Sequence, residues 1–191
     1  MQNIYLVVSS VLAFISYIVY IVAIFKGKAK PHRTTRFVLF VITALATASL
    51  FAEKNQVAIW LIGIFTFNSF IIFILSLRFG MGGWEKTDIV CLFIALIGIG
   101  LWKFTNNASI ALYASIVADF TGVIPTLIKT YRFPKTEVWT FFAIDCIAAL
   151  FTLLAIKNWK PIEFAYPLYI ICIDFIIVLL VVRPIHNCLK R

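Results

Sequence analysis

The residues Ala118–Thr136 read Ala-Asp-Phe-Thr-Gly-Val-Ile-Pro-Thr-Leu-Ile-Lys-Thr-Tyr-Arg-Phe-Pro-Lys-Thr. The stretch begins in an apolar run, contains the carboxylate of Asp119 and the helix-breaking Pro125, and ends in a short basic segment. A carboxylate is costly in hydrocarbon, and a proline leaves a backbone carbonyl without its donor. Membrane helices tolerate both where neighbouring helices or a water-filled cavity supply partners. The stretch therefore predicts a membrane helix that forms one wall of a site.

The composition of the 191-residue chain also indicates a membrane protein, since 63% of the residues are hydrophobic and 13% are charged. Soluble domains are closer to ~45–50% apolar and ~25% charged. A helix needs ~17–25 residues to cross a bilayer, so the second and fourth apolar runs are short. The pattern predicts an all-α integral membrane protein with seven transmembrane helices: Ile4–Phe25, Phe37–Ala52, Val57–Leu77, Ile89–Phe104, Ile110–Thr130, Val138–Ile156 and Phe164–Val182.

The positive charges indicate how the chain is oriented. If seven spans alternate in direction, 13 of the 17 Lys and Arg residues lie on the side that holds the C-terminus. The positive-inside rule then places the C-terminus in the cytoplasm and the N-terminus outside. We therefore expect a multi-pass protein of the cell's inner (plasma) membrane. Topology and lipid headgroups account for the net charge of +9, so a nucleic-acid partner is not expected.

The chain contains a weak internal repeat. Ala13–Tyr20 can be written above Ala118–Pro125, and each copy continues into a basic loop with a proline and then into a helix rich in small residues. Helices one to three thus match helices five to seven, and the fourth is left as a linker that keeps both triplets in the same orientation. The predicted units are a first three-helix bundle at residues 1–80, a linker with the inversion helix at 81–107 and a second bundle at 108–191.

The segment Gly122–Thr136 resembles the second PQ-loop of the PQ-loop and SWEET group, which includes the SWEET and SemiSWEET sugar transporters and the cystine-transporter branch. The resemblance covers essentially the whole chain as two parallel three-helix repeats around a linker helix. The pattern departs from the group where Thr126 replaces Gln, where Tyr20-Ile21 replaces Pro-Gln, and where the second and sixth helices lack proline. These departures favour an uncharacterised bacterial branch over the sugar transporters.

The resemblance implies a small-solute transporter that works by alternating access, with a sugar, an amino acid or a vitamin-like molecule as its solute. In that group an Asn on the last helix of each repeat lines the pocket. Asn68 stands at that place on the third helix, and Asp174 is its counterpart on the seventh. The resemblance therefore implies that Asn68 and Asp174 bind the substrate.

Three carboxylates fall near the middle of predicted spans, namely Asp119, Asp145 and Asp174. Because a charge in hydrocarbon is costly, each should face the interior of the bundle. No Lys or Arg lies at the same depth in the sequence, so protons, water, a cation or a cationic solute must compensate. Asp119 and Asp145 are therefore expected to couple protons or to line the pocket. The alternative is that each carboxyl only holds helices together.

Gly122 and Pro125 are the candidate hinge, since a transporter that alternates its access must bend. A second candidate function is a non-transporting seven-helix receptor or a structural membrane protein. The sequence contains neither a Ser/His/Asp or Cys/His set nor metal-ligand spacing, so neither an enzyme nor a metal site is expected. The last helix has no Lys to form a Schiff base, and no cofactor is expected. The oligomeric state stays open, with a homo-oligomer among the alternatives.

Overall fold

The computed structural model is all-helical and describes residues 2–27, 31, 33–80, 86–132, 134 and 137–183. Within these residues the seven predicted helices are confirmed. They are α1 (Gln2–Phe25), α2 (Arg33–Ala52), α3 (Ala58–Phe79), α4 (Lys86–Thr105), α5 (Ala108–Arg132), α6 (Trp139–Ala155) and α7 (Pro161–Val182).

The prediction that the second apolar run is short is confirmed, since Arg36–Ala52 is one of the shorter apolar stretches of the described chain. The prediction that the fourth run is short was wrong, because Asp88–Thr105 contains 18 residues and is long enough to cross a membrane. As helices, α2 and α4 each contain 20 residues. Both helices begin in polar segments that precede their apolar runs, and long Lys and Arg side chains can extend from such a turn to the membrane surface. By length and composition, four stretches of the described chain can cross a membrane: Asn3–Phe25, Ala58–Phe79, Asp88–Thr105 and Pro161–Val182. The other three helices carry shorter apolar stretches. The chain is thus helical and suited to a membrane.

The helices pack in the same order in the two halves of the chain. In the first half α3 packs against both α1 and α2, and in the second half α7 packs against both α5 and α6. Across the halves, α1 packs against α6, and α2 packs against α5. Helix α4 contacts α2 and α5, and α3 also contacts α6 and α7. The two groups of three helices, called triplets below, therefore meet along an α1–α6 interface and an α2–α5 interface.

Two clusters of buried apolar side chains hold this arrangement. The larger cluster draws mainly on α1 and α3, with members from α2, α5, α6 and α7, and its fully buried members include Leu61, Ile62 and Tyr166. The smaller cluster joins α2, α4 and α5, and it includes Ile42, Cys91 and Ala118. Lipid tails are as apolar as these side chains, so close packing rather than escape from water favours the contacts.

Small residues let α4 and α5 approach each other closely. A Cβ atom placed on Gly98 would lie 2.4 Å from the Cβ of Ala114, a distance that real Cβ atoms do not tolerate. Gly100, two residues further along the same helix, has no neighbouring atom within 4 Å of such a Cβ. Only Gly98 is therefore needed for the contact between the linker helix and α5.

The start of α2 is tied to the end of α3. The Arg33 side chain donates from Nε to the carbonyl of Ser76 at 3.2 Å and from Nη2 to the carbonyl of Gly80 at 3.1 Å. A cation suits this position, because the last carbonyls of a helix have no partner within the helix and carry partial negative charge. A Cβ on Gly80 would lie 2.6 Å from the carbonyl oxygen of Pro31, so this contact requires glycine.

Candidate functional site

The three intramembrane aspartates are all buried. Asp119 on α5 and Asp174 on α7 are each 8% exposed, and Asp145 on α6 is 4% exposed. The large apolar side chains on the outer faces of the same helices are exposed instead, among them Phe120, Ile147 and Phe175. The carboxyl groups therefore face other helices rather than lipid, as the cost of a charge in hydrocarbon predicts.

Asp145 is held at the α1–α6 interface by a serine. The Ser16 hydroxyl donates to Oδ1 of Asp145, and its oxygen also lies 2.9 Å from the backbone carbonyl of Ala13. A second polar contact joins the same two helices, where the hydroxyl oxygens of Ser9 and Thr152 are 2.6 Å apart. The two contacts are one heptad apart on both helices, so they form a polar ladder between the triplets.

Asp119 is held within the second triplet. The Tyr169 hydroxyl on α7 donates to Oδ2 of Asp119 on α5 at 2.5 Å. The Tyr169 ring packs edge-on against the ring of Tyr166, with centroids 5.9 Å apart. Tyr166 is only 1% exposed. This contact couples the carboxyl on α5 to the aromatic side chains of α7.

Asp174 differs from the other two aspartates, because it has no hydrogen-bond partner among the described residues. The carboxyls of Asp145 and Asp119 act electrostatically on the carboxyl of Asp174. Tyr17 on α1 interacts electrostatically with both Asp145 and Asp174, and its hydroxyl lies beside Ser69 on α3. The aspartates therefore belong to one polar cluster, which also reaches α1 and α3.

We call this group the central polar cluster. It brings together residues of α1, α3, α5, α6 and α7, and so it includes helices from both triplets. Its members are Ser16, Tyr17, Ser69, Asp119, Asp145, Tyr166, Tyr169 and Asp174.

Asn68 precedes Ser69 on α3 and is 1% exposed. Its amide nitrogen Nδ2 is buried and has no hydrogen-bond partner within the part of the chain that the structure describes. Phe65 and Ile72, three residues before and four residues after Asn68, belong to the core cluster that α3 shares with α7. Asn68 thus lies on the face of α3 that is turned inward, and it keeps a donor that the protein does not satisfy.

The candidate hinge lies in an uninterrupted helix, because α5 runs from Ala108 to Arg132 through both Gly122 and Pro125. The side chain of Pro125 lies outside the described part of the structure. A Cβ on Gly122 would lie 3.4 Å from Sγ of Cys91 and 3.9 Å from Cδ2 of Leu39, which are ordinary contact distances. Packing therefore does not require glycine at this position.

Sequence reasoning missed the hydroxyl groups of the central polar cluster and an arginine beside it. The Arg36 guanidinium donates to the Tyr20 hydroxyl and lies 4.8 Å from the centroid of the Tyr20 ring. The Tyr20 ring in turn packs against Phe141 of α6 at 5.2 Å. The sequence did contain a signal for these residues. Tyr17 and Tyr20 are one helical turn apart, on the same predicted helix as Ser16.

Among the described residues, no group of three or more His, Cys, Asp or Glu side chains is placed to hold a metal ion. No protein-family model matches the chain, and neither the curated proteins nor the solved structures contain a match to it.

Proposed function

We propose that the chain is a small-solute transporter of the PQ-loop and SWEET type, rather than an enzyme, and that it works by alternating access. Its two triplets would be parallel repeats at residues 1–80 and 108–191, with the inversion helix within the linker 81–107. The identical packing order of the triplets supports this division. The N-terminus would lie outside and the C-terminus in the cytoplasm of the plasma membrane, as the distribution of basic residues favours.

The observation that carries the proposal is the central polar cluster itself. Buried carboxyl groups on α5, α6 and α7 act on one another, and the one on α6, Asp145, is hydrogen-bonded across the α1–α6 interface between the triplets. The inward-facing Asn68 of α3 adds a donor without a partner among the described residues. Buried polar groups of this kind are expensive in a membrane, and they commonly mark a solute or ion pathway. In transporters with internal repeats, the substrate site lies near the midplane at the interface between the repeats.

The three aspartates and Asn68 would have different roles in transport. Asp174 and Asn68 would contact the solute, because both retain unused hydrogen-bonding capacity in the described structure. Asp145 and Asp119 already accept a hydrogen bond from Ser16 and Tyr169, so they are suited to take up and release protons while they stay in place. A proton gradient could then drive the solute.

The two interfaces between the triplets differ in chemistry, and this difference suggests how they would move. The α1–α6 interface carries the two polar contacts of the ladder. The α2–α5 interface adjoins the apolar cluster that contains Ile42 and Ala118. Lipid or neighbouring side chains can replace apolar contacts at little cost. The α1–α6 interface would therefore act as the pivot, and the α2–α5 interface would open, with bending of α5 at Gly122 and Pro125.

Uptake by proteoliposomes tests the proposal. The purified chain would be reconstituted and given labelled sugars, amino acids and vitamin-like solutes, with and without a pH gradient across the membrane. We expect saturable uptake of at least one solute class, which is lost in Asp174→Asn and retained in Glu163→Gln. Glu163 lies in the first turn of α7 and serves as the matched carboxyl control. The absence of flux for the whole panel would contradict the proposal.

A further inference from the structure

Among the described residues, one acceptor in the central polar cluster and one donor next to it in sequence lack hydrogen-bond partners. Asp119 and Asp145 each accept a hydroxyl hydrogen bond, whereas Asp174 accepts none from the described residues. The Asn68 amide nitrogen is a donor without an acceptor. Purely structural polar groups in a membrane find partners among their neighbours. These two groups are bonded neither to each other nor to any other described residue.

Both groups lie on surfaces that face each other. Helix α3 packs against α7, and its residues Phe65 and Ile72, which flank Asn68, join a core cluster with Ile170 of α7. Asp174 follows Ile170 by one helical turn. Asn68 and Asp174 are therefore the inward-facing polar residues of the third and seventh helices in one shared core.

Among the described residues, the charged side chains that act on Asp174 carry a single sign. They are the carboxyls of Asp145 and Asp119. A carboxylate that is buried beside other carboxylates is strongly unfavourable unless a proton or a bound cation neutralises it.

We infer that the site binds a small organic solute that carries a protonated amine beside a hydrogen-bond acceptor. The ammonium group is placed at Asp174, and the acceptor receives the free N–H of Asn68. A neutral sugar satisfies the amide donor but leaves the carboxylates to be neutralised by protons alone, whereas an ammonium group also supplies a positive charge. The inference rests on the proposed function, whose solute class it narrows.

Equilibrium binding to the intact protein in lipid nanodiscs tests the inference independently of flux. The probes are two matched pairs, glucosamine with glucose and L-alanine with L-lactate, in which a hydroxyl replaces the amine. We expect an amine to bind at least tenfold more tightly than its hydroxyl partner. Tighter or equal binding of glucose or lactate would overturn the inference. Displacement of the amine by an equal concentration of Na⁺ would also overturn it, in favour of a metal-cation site.

Single-residue variants test which side chains contact the bound amine. Asp174→Asn should weaken amine binding at least tenfold, and Asp174→Glu, which restores the charge, should recover part of the affinity. Asn68→Ala should weaken binding severalfold for probes that carry an acceptor, and Glu163→Gln should leave it unchanged. All variants are compared only after they elute as single species with wild-type helix content. Wild-type affinity in a folded Asp174→Asn would overturn the assignment.

The two proposals fail in different ways. If amines bind but no solute crosses the proteoliposome membrane, the inferred site is supported and transport is contradicted. If glucose is taken up and amines are neither bound nor transported, transport is supported and the inferred solute class is contradicted.

Discussion

Removing the polar ladder between α1 and α6 should loosen the contact between the two triplets by an amount that can be worked out in advance. The ladder has two rungs, the Ser9–Thr152 contact at 2.6 Å and the contact from Ser16 to Asp145. The first rung joins two neutral hydroxyls, and the second joins a hydroxyl to a carboxyl. The perturbations are Ser9→Ala with Thr152→Val, and Ser16→Ala with Asp145→Ala, which removes the acceptor.

The expected energies follow from the chemistry of each rung. Side-chain hydrogen bonds between membrane helices contribute about 0.6 kcal/mol on average and at most about 1.7 kcal/mol. A hydrogen bond to an ionised group is roughly twice as strong as a neutral one. We therefore expect a coupling energy of about 0.6 kcal/mol for Ser9 with Thr152. For Ser16 with Asp145 we expect about 1.2 kcal/mol if the carboxyl is ionised, and about 0.6 kcal/mol if it is protonated.

Double-mutant cycles on reversible unfolding in mixed micelles measure both couplings. The Thr47–Thr66 hydroxyl pair, whose oxygens are 2.8 Å apart on α2 and α3, supplies a comparison within one triplet. A coupling near about 0.6 kcal/mol for this pair would show that the assay detects such contacts. Couplings indistinguishable from zero for both rungs, alongside a measurable value for the comparison pair, would refute the idea that the ladder joins the triplets.

Three further predictions concern helix packing, bending and orientation. Gly98→Ala should lower the free energy of unfolding by about 1–3 kcal/mol, because its Cβ would lie 2.4 Å from that of Ala114. Gly100→Ala is the control and should not lower it. Equal denaturation midpoints for the two variants would contradict this prediction. Gly122→Ala should leave the free energy of unfolding unchanged, since its Cβ meets only ordinary contacts. If α5 bends at this position, the same variant should slow solute flux severalfold. Unchanged flux would argue against the hinge. A single cysteine at Lys157 should react with a membrane-impermeant maleimide on intact cells, and reaction only after lysis would reverse the proposed topology.

The helices could be predicted from the sequence, because each apolar run is long enough to identify a membrane helix without knowledge of its neighbours. The residues at which the helices begin were harder to predict. Helix α2 begins at Arg33, and α4 begins at Lys86, in polar segments where hydropathy gives no signal. Arg33 is fixed there by the carbonyls at the end of α3, a contact that only the folded structure reveals.

The burial of the three aspartates in the candidate site could be predicted from the sequence, because it depends only on the free-energy cost of a charge in hydrocarbon. Burial of Asp119, Asp145 and Asp174 follows from the price of a charge in hydrocarbon, whichever helices surround them. Their partners were not predictable, because a serine or tyrosine is inexpensive in a membrane helix and is common there. Ser16 meets Asp145 across 129 residues of sequence, so only the packing of α1 against α6 identifies the pair.

The most direct test of alternating access is the accessibility of the central polar cluster from each side of the membrane. Ser69 is 8% exposed and lies beside the Tyr17 hydroxyl, so a single cysteine at this position reports on the cluster. The native cysteines to be replaced first are Cys91, Cys146, Cys172 and Cys188. In vesicles of known orientation, we expect a small charged thiol reagent to label Ser69→Cys from either side, with the balance shifted by a bound solute. Labelling from one side only, under every condition and solute, would contradict alternating access and would favour a receptor.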